Sequence, residues 1–172
     1  MKKFLIGISI LLTFVAFSFK ASSIGHADKD KRPKINQEKL VKAHNALREA
    51  VGVPPIEWSV ELADYAQMWA DSLATSCSVF KSNGAYGENM YWTVSKRSED
   101  EVVNFWAKEK KYFDKSDSTF SEEKGDMFEH YTQIIWKETT HVGAGRRKCD
   151  NGDEIWVCVY DPKGNKLGEK PF

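Results

Sequence analysis

Residues 129–139 read Glu-His-Tyr-Thr-Gln-Ile-Ile-Trp-Lys-Glu-Thr, and the structure assigned to this stretch decides how the rest of the chain is layered. The apolar positions from Phe128 to Trp136 suit a short buried strand or a helix, and period alone leaves both open. As a helix, the stretch puts His130 one turn before Ile134. Downstream, two β-rich runs, 141–147 and 154–160, flank Asp150-Asn151-Gly152-Asp153, a strong turn signal, so a hairpin closes the chain. Upstream, residues 114–124 are polar and read as a loop.

Further upstream, Ser98 and Glu101 form a capping box for a helix that places Val102, Phe105, Trp106 and Glu109 on one face. An ionised carboxylate on an apolar stripe needs a cation, a hydrogen-bond donor or a water-filled cleft, which makes Glu109 a candidate site residue. Glu88 is a second, set between Gly87 and the strand-like run 88–92. Spacing leaves open whether Glu88, Glu109 and His130 converge or are scattered and individually satisfied. Two amphipathic helices come first. Asn36 caps one through Gly52, with Leu40, His44, Leu47 and Val51 in a stripe. Ser59 caps the other up to about Ser76, with Leu62, Ala66, Trp69 and Leu73 in a stripe. Helices first and hairpin last predict an α+β layer arrangement.

The chain has 172 residues, enough for one domain, and its 41% hydrophobic content supports a packed core. Its formal charge of zero offers no overall basic field for a phosphate backbone, which argues against a nucleic-acid partner. Lys2 and Lys3 precede a mostly apolar run, 4–17, and the small residues Ala21, Ser22 and Ser23 follow, the pattern of a secretory signal peptide over 1–23. Cleavage after Ser23 or Ser18 satisfies the small-residue rule; the alternative is an uncleaved anchor, for which the run is short. Residues 24–34 read as a flexible leader. Secretion puts the three cysteines in an oxidising compartment, and the hairpin predicts Cys149 bonded to Cys158. Cys77 is then either a small buried hydrophobe or the site of an intermolecular disulfide that dimerises an otherwise monomeric protein. There is no Asn-x-Ser/Thr acceptor.

The run 129–139 resembles the signature of the CAP superfamily, which covers the cysteine-rich secretory, antigen-five and plant pathogenesis-related class 1 proteins. Ala43-His44-Asn45 with Arg48, Gly52-Val53-Pro54-Pro55, Tyr86-Gly87-Glu88-Asn89 and the run 158–165 (Cys-Val-Tyr-Asp-Pro-Lys-Gly-Asn) support it in the right order. The resemblance covers residues 35–166, with 167–172 left as a tail. It implies a three-layer α-β-α sandwich with a mostly antiparallel central sheet. It also implies a cleft tetrad of two histidines and two glutamates that in several members holds zinc. Glu88, Glu109 and His130 match, while Lys81 stands at the first histidine. An ammonium has no lone pair for a metal, so the expectation is a cleft salt-bridged by Lys81, without zinc or another cofactor and with at most weak ligation by His130 and Glu88. His44 is read as a structural histidine. Cys149 and Cys158 match a hairpin pair of the family, and Ala144 stands where many members have a cysteine.

What the resemblance implies for function is a secreted, extracellular, non-enzymatic binding domain, with a role in defence, venom or host interaction. Its partners would be a sterol or fatty acid, or a cell-surface protein receptor. The lipid-contact loop would carry Tyr112, Phe113, Phe120, Met127 and Phe128, unless these side chains simply pack on the core. The competing class is a hydrolase with Glu88 or Glu109 as base and His130 as acid, but no Gly-x-Ser-x-Gly, His-Glu-x-x-His or catalytic Cys-His motif supplies its nucleophile or metal.

Overall fold

The structure is a computed structural model that describes residues 32–82, 84–114 and 118–172. Residues 1–23, read as a signal peptide, residues 24–31 of the expected leader, Asn83, and Lys115, Ser116 and Asp117 of the expected loop lie outside the described residues. The elements run α1 (Gln37–Glu49), β1 (Glu57–Trp58), α2 (Val60–Ala74), β2 (Gly87–Thr93), α3 (Glu99–Ala107), a 3-10 turn (Lys108–Tyr112), α4 (Glu122–Ile134), β3 (His141–Lys148) and β4 (Glu154–Asp161). Asn36 and Ser59 cap α1 and α2 as predicted, accepting from the amides of Lys39 and Leu62. The Ser98–Glu101 capping box opens α3.

One four-stranded sheet, in the order β1-β3-β4-β2, forms the middle layer. Its β3–β4 and β2–β4 pairs are antiparallel and the two-residue β1 runs parallel to β3. β4 is covered on both sides, and its alternation divides the core. Ile155, Val157 and Val159 pack against Leu62, Ala66, Ala70 and Leu73 of α2. Trp156, Cys158 and Tyr160 point the other way, into a core shared with α1, α3 and α4. The expected α-β-α sandwich follows.

Two glycines let α2 lie directly on β3. A Cβ at Gly143 would stand 2.1 Å from the Ala63 amide nitrogen, and one at Gly145 2.4 Å from Gln67 Cα. On the opposite layer, Arg48 of α1 is fully buried and has no carboxylate partner among the described residues. Its guanidinium donates to the carbonyls of Pro54 (2.7 Å), Ile134 (2.9 Å), Trp136 (2.8 Å) and Thr139 (2.9 Å). A cation on the carbonyls that close α4 meets the negative end of that helix and fixes where it stops. Burial lowers the Arg48 pKa to about 10.

Three sequence expectations are corrected. The run 128–136 is helical through Ile134, and its helix starts at Glu122 inside the segment read as loop. The α3 stripe holds for Val102 and Trp106, both fully buried, but Phe105 is 46% exposed and Val103 is buried in its place. The α-helix ends at Ala107, so Glu109 sits in the tighter 3-10 turn, where the 3.6-residue stripe no longer applies.

The third correction is the disulfide. Cys77 is bonded to Cys149, and Cys158 is a free, buried thiol. Hairpin register is the reason: the Cys149 amide donates to Asp153, whereas Cys158 lies opposite Ala144, further along the ladder and on the face away from α2. Cys158 is thus the unpaired cysteine because the residue across from it is alanine. Residues 167–172 are tied to the domain. Gly168 and Phe120 exchange backbone hydrogen bonds with the chain at 120 and 169, and Lys137 donates to Pro171 at 2.7 Å.

Candidate functional site

A cleft of about 350 Å³ opens between residues 81–88, α4 and the segment 163–167. Its α4 wall is Gly125, Glu129 and Gln133, one helical stripe at intervals of four. Gln133 fixes how closely the walls approach. Its Oε1 accepts from the Gly164 amide at 2.9 Å, its Nε2 donates to Thr139 at 3.2 Å, and a Cβ at Gly87 would stand 2.2 Å from Oε1. Asn165, at φ 54°, ties the third wall to α4, accepting from Thr132 Oγ1 at 2.7 Å and donating to the Glu129 carbonyl at 2.8 Å.

The four tetrad positions separate into independent pairings. Glu88 accepts from the Ser82 amide at 2.8 Å and from the Ser82 hydroxyl, which also contacts Tyr65. Glu109 accepts from His130 Nδ1 at 2.7 Å and from the amides of His130 and Tyr131 at 3.0 and 3.2 Å. With those acceptors occupied, Lys81 reaches Glu129 instead, Nζ to Oε2 at 2.5 Å, and its side chain stays 56% exposed. The expected salt bridge across the cleft exists, but to Glu129 and not to the tetrad carboxylates. Glu88 and Lys81 line the cleft together with Glu129 and Lys163; Glu109 and His130 form a separate pair beside it, the imidazole stacked at 6.1 Å on Trp106.

Asn89 links the two regions, its amide donating to the His130 carbonyl at 3.0 Å and to the Tyr160 hydroxyl at 3.2 Å. Tyr160 in turn meets His44 Nε2 at 2.9 Å, while His44 Nδ1 stands 2.8 Å from the Leu40 carbonyl. A carbonyl only accepts, so Nδ1 carries the proton and Nε2 accepts from Tyr160. Burial holds the His44 pKa at about 4 and pushes the Tyr160 hydroxyl and the Cys158 thiol well up. His44 is structural, as the sequence suggested.

The residues present do not fit the two-histidine metal set that the resemblance implies. His130 has one ring nitrogen committed to Glu109, and Lys81 offers an ammonium. Among the described residues no group of three or more His, Cys, Asp or Glu could hold a metal ion. The proposed lipid loop divides as well. Phe120 and Phe128 are buried against Trp136, Phe120 also lining the cleft, and Phe113 packs on Phe128, Tyr131 and Phe172. Tyr112 and Met127 are about half exposed. Sequence reasoning missed Glu129, Ser82, Gln133 and Asn165. A helical reading of 125–133 would have put Glu129 and Gln133 on one face.

Solved structures share this architecture. BmVAL-1 superposes with a TM-score of 0.67 at 24% identity, over 79% of this chain and 81% of its own. The crystal structure of NaASP2 with Zn2+ gives 0.70 at 19% identity, over 84% and 88%. At that identity they establish the fold alone. The chain belongs to the CAP, or cysteine-rich secretory protein, family, whose family model matches residues 41–160. It is similar to pathogenesis-related protein 1A of Nicotiana tabacum, 35% identical over 171 residues, which are 96% of this chain and 92% of that protein. It is also similar to pathogenesis-related protein 1 of Arabidopsis thaliana, 37% identical over 132 residues, 77% of this chain and 80% of that protein.

Proposed function

We propose that the protein is a secreted, non-enzymatic recognition domain with a pathogenesis-related role, and that its cleft takes a charged segment of a protein partner. The observation that carries this reading is the lining of the cleft. Two carboxylates, Glu88 and Glu129, face two lysines, Lys81 and Lys163, around the amides of Gln133 and Asn165. Such a lining rewards a ligand that presents both charge signs and backbone hydrogen-bonding groups. The names of the relatives supply the defence role. The apolar run 4–17 supports secretion, and no helix among the described residues is long and apolar enough to cross a membrane.

Binding is favoured over hydrolysis because the groups a hydrolase would need are committed elsewhere. Glu109 holds His130 through Nδ1 and two backbone amides, and the Ser82 hydroxyl is bonded to Glu88 with no histidine beside it. A sterol or fatty acid is the second reading, resting on exposed Tyr112 and Met127. Lipid extraction and metal analysis of one secreted sample test both points. The expected result is neither lipid nor zinc at stoichiometric level; stoichiometric lipid would favour the second reading, and stoichiometric zinc would contradict the account of Lys81.

A further inference from the structure

A second pocket lies at the turn end of the sheet, remote in chemistry from the cleft. Arg32, Lys96, Arg146, Arg147 and Lys148 line it, against the acids Asp150 and Glu154. Three of these cations are consecutive on β3. Because side chains alternate along a strand, Arg146 goes to one face of the sheet, over the Trp156 ring at 4.5 Å, while Arg147 goes to the face of α2, 3.8 Å from Asp71. At the hairpin end both faces meet the same pocket, which Cys149 braces through its bond to Cys77.

Three of the five cations are ion-paired, while Lys96 and Lys148 have no ion pair among the described residues. Glu154 accepts from the Trp156 indole at 3.0 Å and stands 3.8 Å from Arg146. Asp71 is shared between Arg32 and Arg147. Arg146 is 8% exposed and gives its terminal nitrogens to the carbonyls of Lys34 and Arg97. Its Nε, with Arg32 Nε and Arg147 Nη1, is buried with no hydrogen-bond partner among the described residues. Those three atoms are closed to solvent, so an anion entering the pocket meets the ammoniums of Lys96 and Lys148 and the part-exposed guanidiniums of Arg32 and Arg147, donors suited to an oxyanion. Lys96 and Lys148 stand exposed at the rim.

We propose that this pocket binds the carboxylate or sulfate groups of an acidic polysaccharide. The pocket, about 710 Å³, is larger than one small anion needs, and neighbouring hollows extend it through Arg32 to Lys34 and through Lys96 to Arg97. A repeating polyanion fits the cations Arg32, Lys96, Arg146, Arg147 and Lys148, and the acids Asp64, Glu99 and Glu101 of the neighbouring hollows bound that row. Among the described residues no aromatic side chain lines the pocket, so they offer no stacking platform of the kind single-stranded nucleic acid uses. The proposal is independent of the ligand assigned to the cleft.

Equilibrium binding of polygalacturonate, of dextran sulfate and of a single-stranded oligonucleotide to the secreted protein tests it at two salt concentrations. The expected result is salt-sensitive binding of polygalacturonate, dextran sulfate or both, the pair of polymers separating carboxylate from sulfate recognition. Lys96→Gln with Lys148→Gln should weaken it by about tenfold or more, because each neutralised anion contributes counterion release. Lys110→Gln with Lys111→Gln, which removes equal charge from exposed positions elsewhere, should leave it within about twofold. Binding of neither polysaccharide, equal loss in both variants, or an oligonucleotide held as tightly through Lys96 and Lys148 would overturn the proposal.

Discussion

Lys81 crosses to Glu129, Nζ 2.5 Å from Oε2, and so joins the chain before β2 to α4 over the open side of the cleft. Both ends of the pair are accessible to water, so the bridge contributes at most about 1 kcal/mol to stability. It keeps one cation and one anion side by side at the rim, and on the proposed reading a ligand carrying both signs exchanges with them.

Cysteine chemistry gives the first prediction. Non-reduced peptide mapping should show Cys77 bonded to Cys149, and native alkylation should leave Cys158 unmodified because the thiol is fully buried and its pKa raised. The bond spans a sequence separation of 72. In the chain-entropy model, Cys77→Ser with Cys149→Ser should therefore cost about 4 kcal/mol, read as a shift in the urea midpoint.

Acid should destabilise the fold through His44. Its pKa is about 4 in the folded protein against an ordinary 6.5, so between these values the unfolded chain binds the extra proton. Stability is then full above pH about 6.5 and falls as pH drops toward about 4, by on the order of 3 kcal/mol. A pH series of urea unfolding should show this fall, and His44→Gln should flatten it while lowering stability at neutral pH.

Arg48→Lys should destabilise the protein by about 2–4 kcal/mol, since a single ammonium cannot replace a fork bonded to four carbonyls. Denaturant unfolding of the variant reads it directly. Loss under about 0.5 kcal/mol would mean that α4 ends independently of Arg48.

Phe120→Asp should unfold the domain or cost several kcal/mol, because the ring is buried in a cluster with Phe128 and Trp136 and a carboxylate there loses that packing and is poorly hydrated. Tyr112→Ser and Met127→Ser, at exposed positions, should stay within about 0.5 kcal/mol of wild type in thermal melts.

Local chemistry made part of this fold legible. Asn36, Ser59 and the Ser98–Glu101 pair announce helix starts because a cap involves neighbours in sequence, and the hairpin followed from its turn residues. The helical state of 128–134 was not legible, since a short apolar run satisfies both periods until Arg48 and Asn165 hold it. The disulfide is not legible from the turn alone, which brings Cys149 and Cys158 near each other in sequence, whereas register puts Ala144 opposite Cys158. Glu88, Glu109 and His130 stand out in the sequence through the motifs that carry the resemblance, and Glu109 also through its place on an apolar stripe. Their partners do not, since Ser82 lies in an irregular segment and Glu129 stood unnoticed beside His130.

The central claim, that the cleft binds a charged protein segment and does not cleave it, is tested most directly by mass spectrometry of a random peptide library. The library is incubated with the protein and with a Lys81→Glu, Lys163→Glu variant. The account predicts that the wild type retains a subset of intact peptides carrying both charge signs and that the variant loses them. Cleaved peptides in the wild-type sample, or retention unchanged in the variant, would contradict it.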